Sequence, residues 1–293
     1  GMHGRIMAKL RIGISGWRYA PWRGRFYPPD LPQRLELHYA SRQLDTIEIN
    51  GSFYALQRPD SWRSWYRDTP PGFVFAVKAP RFITHVRRLR EVETPLANFL
   101  ASGVLELGEK LGPMLWQFPP TLPYDHDLFD AFLSSLPRDS ASALIMARRH
   151  DRHLGLVGDL APKRNHRLRH AVEIRHASFA DPAFLRLLRK HRAALVVSDA
   201  PTAWPKLQDV TAGFVYMRLH GDKVLYSSGY SQAALDDWAR RIRCWLRGRQ
   251  PRDRLHRVSN EKPQARKSRD VYCYFDNDAK VKAPFDARKL RGR

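Results

Sequence analysis

Thr46-Ile47-Glu48-Ile49-Asn50 and Ala171-Val172-Glu173-Ile174-Arg175 read alike, with Ile or Val alternating with charged or amide side chains. Side chains alternate across a strand, so Ile47, Ile49, Val172 and Ile174 take one face and Glu48, Asn50, Glu173 and Arg175 the other. In a barrel of parallel strands the first face meets the surrounding helices and the second faces the axis. Working outward, similar short apolar runs stand at 11–15, 46–49, 73–78, 114–117, 171–174, 194–198, 214–218 and 271–275, which makes eight expected strands. Helix-like patterns fall at 35–43, 61–66, 96–110, 128–136, 182–190, 231–247 and 286–290. Strand and helix alternate as in parallel βαβ units, and a (β/α)8 barrel takes about 250 residues, close to the 293 here. The expected fold is therefore α/β, a TIM-type (β/α)8 barrel with room for irregularity.

Local signals support several joins. Asp127 is placed as an N-cap, Pro182 follows Asp181 in a first helical turn, and Ser231 precedes Leu235, Trp238 and Ile242 at helical spacing. The stretch 138–167 is basic and aperiodic, and reads as a crossover helix plus a basic loop. A second basic stretch, 247–269, holds Gly248, Pro251 and Pro263 with few apolar residues, and reads as an exposed insertion before the last strand. Residues 1–10 read as a tag remnant and leader and 11–290 as a single barrel domain, with no internal repeat.

The composition sets outer bounds. With 43% hydrophobic and 11% aromatic residues, the chain can fill a sizeable core, which excludes a wholly disordered protein. The 51 basic against 29 acidic residues leave a net charge of +22, a balance that favours polyanionic partners. Cys244 and Cys273 lack a CxxC partner and read as packed thiols, which fits a reducing, cytoplasmic setting. No run of about 18 apolar residues occurs, so membrane insertion is not expected.

Polar groups recur where the expected strands end: Ser15, Lys78, Gln117, Asp199, Arg218 and His220 join Glu48, Asn50, Glu173 and Arg175. Barrel enzymes build their sites at those ends. Glu173 with Arg175, or Glu48 with Lys78, could equally be internal ion pairs that plug the barrel, although such pairs are costly to desolvate. Two carboxylates on separate strands suit general acid and base work. His85, His176 and His220 could join Glu48, Glu173 and Asp199 around a divalent metal, but no HxH or HExxH spacing supports it, and hydrogen-bonded histidines are the plainer reading. No metal ligand is assigned. The segment Gly16-Trp17-Arg18-Tyr19-Ala20-Pro21-Trp22-Arg23-Gly24-Arg25-Phe26-Tyr27-Pro28 alternates rings with arginines, which suits stacking on bases or sugars or, equally, a packed lid. Asp276-Asn277-Asp278 offers oxygen ligands or an Asx turn.

Several segments taken in order carry a family likeness: Gly13-Ile14-Ser15-Gly16-Trp17, Glu48-Ile49-Asn50 with Ser52-Phe53-Tyr54, Phe75-Ala76-Val77-Lys78, and Leu115-Trp116-Gln117-Phe118-Pro119-Pro120. Val172-Glu173-Ile174-Arg175-His176, Tyr216-Met217-Arg218-Leu219-His220-Gly221 and Tyr272-Cys273-Tyr274-Phe275-Asp276-Asn277-Asp278 complete the set. From about residue 11 to 290 the chain resembles the YecE-like family, domain of unknown function 72. The resemblance implies a TIM-type barrel and brings no established reaction. Matching motif residues include Trp17, Tyr54, His85, His176, Asp276 and Asn277, with no assigned roles.

The functional expectation is an enzyme, a hydrolase or isomerase, acting on an anionic or phosphate-bearing substrate at the C-terminal ends of the strands. Lys78, Arg175 and Arg218 would hold the anion; Glu48 and Glu173 would exchange protons; His220 would orient or donate. Trp17, Asn50, Tyr54, Gln117 and Asn277 complete the substrate-binding set. The alternative is a nucleic-acid-binding protein, with a metal-dependent phosphodiester-cleaving or repair enzyme as its catalytic variant. No GxGxxG or GxxxxGK[ST] fingerprint points to a nucleotide cofactor, and a divalent metal stays open. Oligomeric state is not readable from the sequence.

Overall fold

The computed structural model describes residues 8–224, 228–253, 256–277 and 281–293. Eight parallel strands close a barrel in chain order: β1 (Leu10–Ser15), β2 (Thr46–Ile49), β3 (Val74–Lys78), β4 (Leu111–Gln117), β5 (His170–Glu173), β6 (Ala194–Asp199), β7 (Phe214–Leu219) and β8 (Asp270–Phe275). β8 pairs with β1 through Ile14 opposite Phe275, which closes the ring. The helices are α1 (Glu36–Gln43), α2 (Gly51–Tyr54), α3 (Pro59–Asp68), α4 (Glu93–Ala101), α5 (His126–Ser135), α6 (Ser140–Ala147), α7 (Pro182–Lys190), α8 (Gln232–Leu246) and α9 (Lys282–Arg291). The barrel is irregular between β6 and β7, where 200–213 cross without a helix, and between β4 and β5, where two helices intervene.

The alternation in β2 and β5 sets the two layers. Ile47, Ile49, Val172, Trp116, Val197 and Met217 pack outward with the helices in the larger core. Ala76, Leu115, Ala171, Ala194, Val196, Phe214, Tyr216, Tyr272 and Tyr274 fill the axis in a second, smaller cluster. Above that plug the inward positions turn polar.

Local details differ from the sequence reading. Asp125, not Asp127, caps α5: its side chain accepts from the Leu128 amide at 3.2 Å. Asp127 sits inside the first turn, where its charge complements the helix dipole. The helix expected over 96–110 stops at Ala101, because Gly103 adopts φ +119° and a 3-10 turn, Val104–Lys110, follows. A Cβ at Gly103 would lie 2.7 Å from Trp62 Cδ1 and 2.9 Å from Pro59 Cα, so the close approach of α3 requires glycine. The 247–269 segment has neither helix nor strand among its described residues. It is mostly exposed yet tied down: Asp209 accepts from the Val258 and Ser259 amides, and buried Arg269 donates to the carbonyls of Ala212, Gly248 and Gln264. No helix of the described residues is long and apolar enough to cross a membrane. Cys273 is buried, which pushes its thiol up, and Cys244 is half-buried.

Candidate active site

Three carboxylates converge on one guanidinium at the top of the barrel. From β7, Arg218 donates through Nη1 to Glu173 at 2.7 Å, through Nη2 to Glu48 at 2.9 Å and to Asp276 at 3.2 Å, and through Nε to Glu48 at 3.2 Å. Glu48 also accepts from Ser15 Oγ at 2.6 Å and from the Tyr216 hydroxyl. His220, two residues on along the chain, lies between Asp276 (Nδ1, 2.7 Å) and Glu173 (Nε2, 2.9 Å). Glu48, Glu173 and His220 are 0% exposed and Arg218 is 2%.

The electrostatics follow from that packing. Burial alone would lower the His220 pKa, but the Asp276 and Glu173 carboxylates outweigh it and raise it above its ordinary value. Each ring nitrogen of His220 faces a carboxylate, which only accepts, so both N–H groups donate, as in an imidazolium. Burial would push Glu173 up, yet Arg218, Arg175 and His220 hold it well below the carboxylate range. Burial likewise opposes charge on Asp276, and His220 and Arg218 keep it low.

Above this layer opens a cleft of about 520 Å³, lined by Tyr19, Asn50, Phe53, Tyr54, Lys78, Arg81, His85, Gln117, Arg175, Arg218 and Asp276. Lys78 rests its Nζ 3.9 Å from the Phe53 ring centroid, and no hydrogen-bond or ion-pair partner reaches that nitrogen among the described residues. Burial first, and Arg218 next, push Lys78 down to about 8. Arg175 stacks its guanidinium 3.8 Å from the Trp204 ring centroid, with Nη2 3.7 Å from Glu173. His85, on the π-helical turn Phe82–Val86, lies edge-on to the same Phe53 ring at 5.0 Å. Burial, then Lys78, push it down to about 4, so it is a neutral imidazole.

Of the residues expected to bind substrate, Asn50, Tyr54, Lys78, Gln117, Arg175 and Arg218 line the cleft. Trp17 does not. Gly16, at φ +70°, turns the chain off the strand, and Trp17 packs against Trp65 (5.4 Å) and Phe75 (6.4 Å) beside the helices. Trp22, Phe26 and Tyr27 are buried with it, so this segment is a packed lid whose contribution to the cleft is Tyr19. Asn277 does not line it either: fully buried, it donates to Ser228 O (2.9 Å) and Asp286 (2.8 Å) and ties the end of β8 to α9. Glu48 and Glu173 lie beneath the cleft rather than in its wall, and His220 has no ring nitrogen left for a substrate. These three hold Arg218 and one another. Arg218 reaches the cleft with all three guanidinium nitrogens already donating to carboxylates. Asp199 faces outward toward Tyr230, and Ser198 takes the inward place, donating to Glu173 at 3.2 Å. His176 caps the turn Ala177–Phe179. Asp276, expected as an oxygen ligand or a turn residue, is a full member of the network, while Asp278 lies outside the described residues. Among the described residues no three His, Cys, Asp or Glu side chains are placed to hold a metal ion; the carboxylates close on Arg218 instead.

The profile of the family described as "Protein of unknown function DUF72" matches residues 11–293. The chain belongs to this family. Curated relatives agree: the chain is 32% identical over 116 residues to UPF0759 protein YunF of Bacillus subtilis (38% of this chain, 40% of that one) and 28% identical over 132 residues to UPF0759 protein YecE of Escherichia coli (44% of each). The matched stretches thus span less than half the length of those relatives. A crystal structure of a DUF72 family protein from Thermotoga maritima superposes with a TM-score of 0.68 at 24% identity, covering 97% of this chain and 98% of that one. One from Enterococcus faecalis gives 0.65 at 17%, covering 97% of each. Both share the barrel fold.

Proposed function

We propose that this protein is an enzyme that takes a small anionic, phosphate-bearing substrate into the cleft above Arg218. The supporting observation is an imbalance of charge. Glu48, Glu173 and Asp276 are matched by Arg218, Arg175 and the His220 imidazolium, which leaves Lys78 and exposed Arg81 facing the cleft as surplus cations. A charge held away from water without a partner is costly, and an anion entering beside Lys78 removes that cost. Arg175 adds a planar donor suited to a phosphate or carboxylate. Gln117 and Asn50 give neutral polar contacts, and Tyr54, 74% exposed, stands at the rim. Within this reading Lys78 and His85 are the proton-exchanging groups, because both line the cleft, whereas Glu48 and Glu173 act by fixing Arg218. Hydrolysis and isomerisation remain the reaction classes in view.

Calorimetric titration with inorganic pyrophosphate tests the reading. Wild type is expected to bind at one saturable site, and Lys78→Ala and Arg175→Ala to weaken binding at least about tenfold each, the loss of a charge-assisted hydrogen bond worth about 1.5–3 kcal/mol. Equal binding by all three proteins would overturn it. A second reading, single-stranded nucleic acid, is favoured by exposed Tyr54 at the rim and exposed Phe82 on the turn that carries His85, with Arg87 5.3 Å from the Phe82 ring centroid. It predicts oligonucleotide affinity falling with salt at a log–log slope of about −0.7 per phosphate, made shallower by Arg81→Ala and Arg87→Ala.

A further inference from the structure

We propose that Lys78 is a covalent nucleophile whose side-chain amine condenses with the carbonyl group of an anionic aldehyde or ketone to form an imine. This rests on the reading of the cleft as an anion site and names the chemistry within it.

Four observations carry the inference. First, Lys78 ends β3 on the axis side of the barrel, and Ser52 Oγ donates to its backbone carbonyl at 2.6 Å, so its point of departure is fixed. Second, its Nζ opens on the cleft above an aromatic face and, among the described residues, meets no carboxylate, unlike Arg218 and Arg175. A lysine in contact with an acid is held as ammonium; at Lys78 burial, Arg218 and Arg175 outweigh the pull of Glu173 and Glu48, the arrangement that frees an amine lone pair. Third, the shift of Lys78 to about 8 agrees with that geometry. Fourth, His85 shares the Phe53 ring with Lys78, and its Nδ1 lies 2.7 Å from Thr84 Oγ1, which leaves Nε2 for proton traffic. The groups facing Lys78 are Arg218, Glu173, Glu48 and Arg175 from the barrel and His85 from the turn after β3.

The step balances without a further reactant. The uncharged Nζ attacks the carbonyl carbon, a C–N bond forms, and the π pair moves to oxygen, which takes up a proton to give a carbinolamine. His85 removes a proton from nitrogen and returns it to the departing hydroxyl. Water leaves with the C–O bonding pair, the nitrogen lone pair closes the C=N bond as an iminium, and loss of its remaining N–H proton to solvent returns the proton that the oxygen took up. Amine plus carbonyl gives imine plus water. Arg175 and Arg81 would meet the anionic end of the substrate, which sets the preference for charged over neutral carbonyl compounds.

The test uses pyridoxal 5′-phosphate as an anionic aldehyde and pyridoxal as its neutral counterpart. Each is incubated with the full chain at pH 7, reduced with borohydride and located by peptide mass spectrometry. An ordinary lysine has a free-amine fraction near 1 in 2,500 at pH 7 and Lys78 near 1 in 10, so labelling of Lys78 is expected on the order of a hundredfold faster than of an ordinary surface lysine. The rate should rise with pH and level off above about 8, fall at least about tenfold with pyridoxal, and vanish at this position in Lys78→Arg, whose circular dichroism checks the fold. Label spread over surface lysines with Lys78 unmodified would overturn the proposal. Pyrophosphate binding measured on the same preparation separates the failures: binding retained with Lys78 unlabelled sinks the imine alone, whereas loss of both sinks the anion site as well.

Discussion

Replacing Lys78 by methionine should stabilise the protein near neutral pH and stop doing so in alkali. Burial and Arg218 push this lysine from 10.5 down to about 8. At about 1.4 kcal/mol per tenfold change in proton affinity, carrying the ammonium in the folded state costs about 3 kcal/mol below pH 8. Methionine keeps an apolar stem over Phe53 and gives up a cation–π contact at 3.9 Å, worth about 0.5–2 kcal/mol. The net gain at pH 7 is therefore about 1–3 kcal/mol. The sign follows from proton counting: between about 8 and 10.5 the unfolded chain binds more protons at this lysine than the folded one, so its contribution to wild-type stability rises with pH across that window. The advantage of Lys78→Met should shrink in step and be nearly gone near pH 10. Urea unfolding of both proteins at pH 7 and at pH 9.5, followed by tryptophan fluorescence, reads the difference directly. A methionine variant less stable than wild type at pH 7, or a pH-independent difference, would refute the reasoning.

Three further outcomes follow from the same geometry. Arg218→Leu leaves Glu48, Glu173 and Asp276 without their shared cation and should cost about 3–5 kcal/mol in urea unfolding at pH 7, with a smaller loss at low pH where the carboxylates protonate. His220, raised above its ordinary 6.5 by Asp276 and Glu173, contributes stability that is complete below pH 6.5 and lost as pH rises through its higher folded value. His220→Gln should flatten stability over that range, and an unchanged pH profile would count against the doubly donating imidazolium. Gly103→Ala forces a side chain into φ +119° with Trp62 2.7 Å away, and should cost at least about 2 kcal/mol, read as a fall in the urea midpoint.

The layers of the barrel were legible because β2 and β5 mix apolar and polar residues with a period of two, which fixes the phase of each strand. Where that contrast is missing, the phase is not readable. In β6 the run Ala194-Leu195-Val196-Val197 is apolar throughout, so nothing in it says whether Ser198 or Asp199 turns inward, and the structure selects Ser198. Trp17 and Asn277 follow polar or strand-end motifs, yet left-handed Gly16 carries one away from the cleft and a hydrogen bond to Asp286 holds the other beneath it. The cluster around Arg218 draws on β2, β5, β7 and the residues after β8, with 170 positions between Glu48 and Arg218 alone. Composition could name its members, but only closure of the barrel shows that the acids pair with Arg218 and His220 while Lys78 meets no ion-pair partner among the described residues. His85 carried no spacing signal; its place depends on the π-helical turn that follows β3.

The central claim is that the cleft above Arg218 binds an anion through Lys78 and Arg175. A crystal structure of the protein soaked with tungstate, whose anomalous scattering marks its position, tests it most directly. An anomalous peak is expected within hydrogen-bond reach of Lys78 Nζ and Arg175, absent from crystals of Lys78→Ala. Tungstate found only on the outer surface, with the cleft empty under saturating conditions, would contradict it.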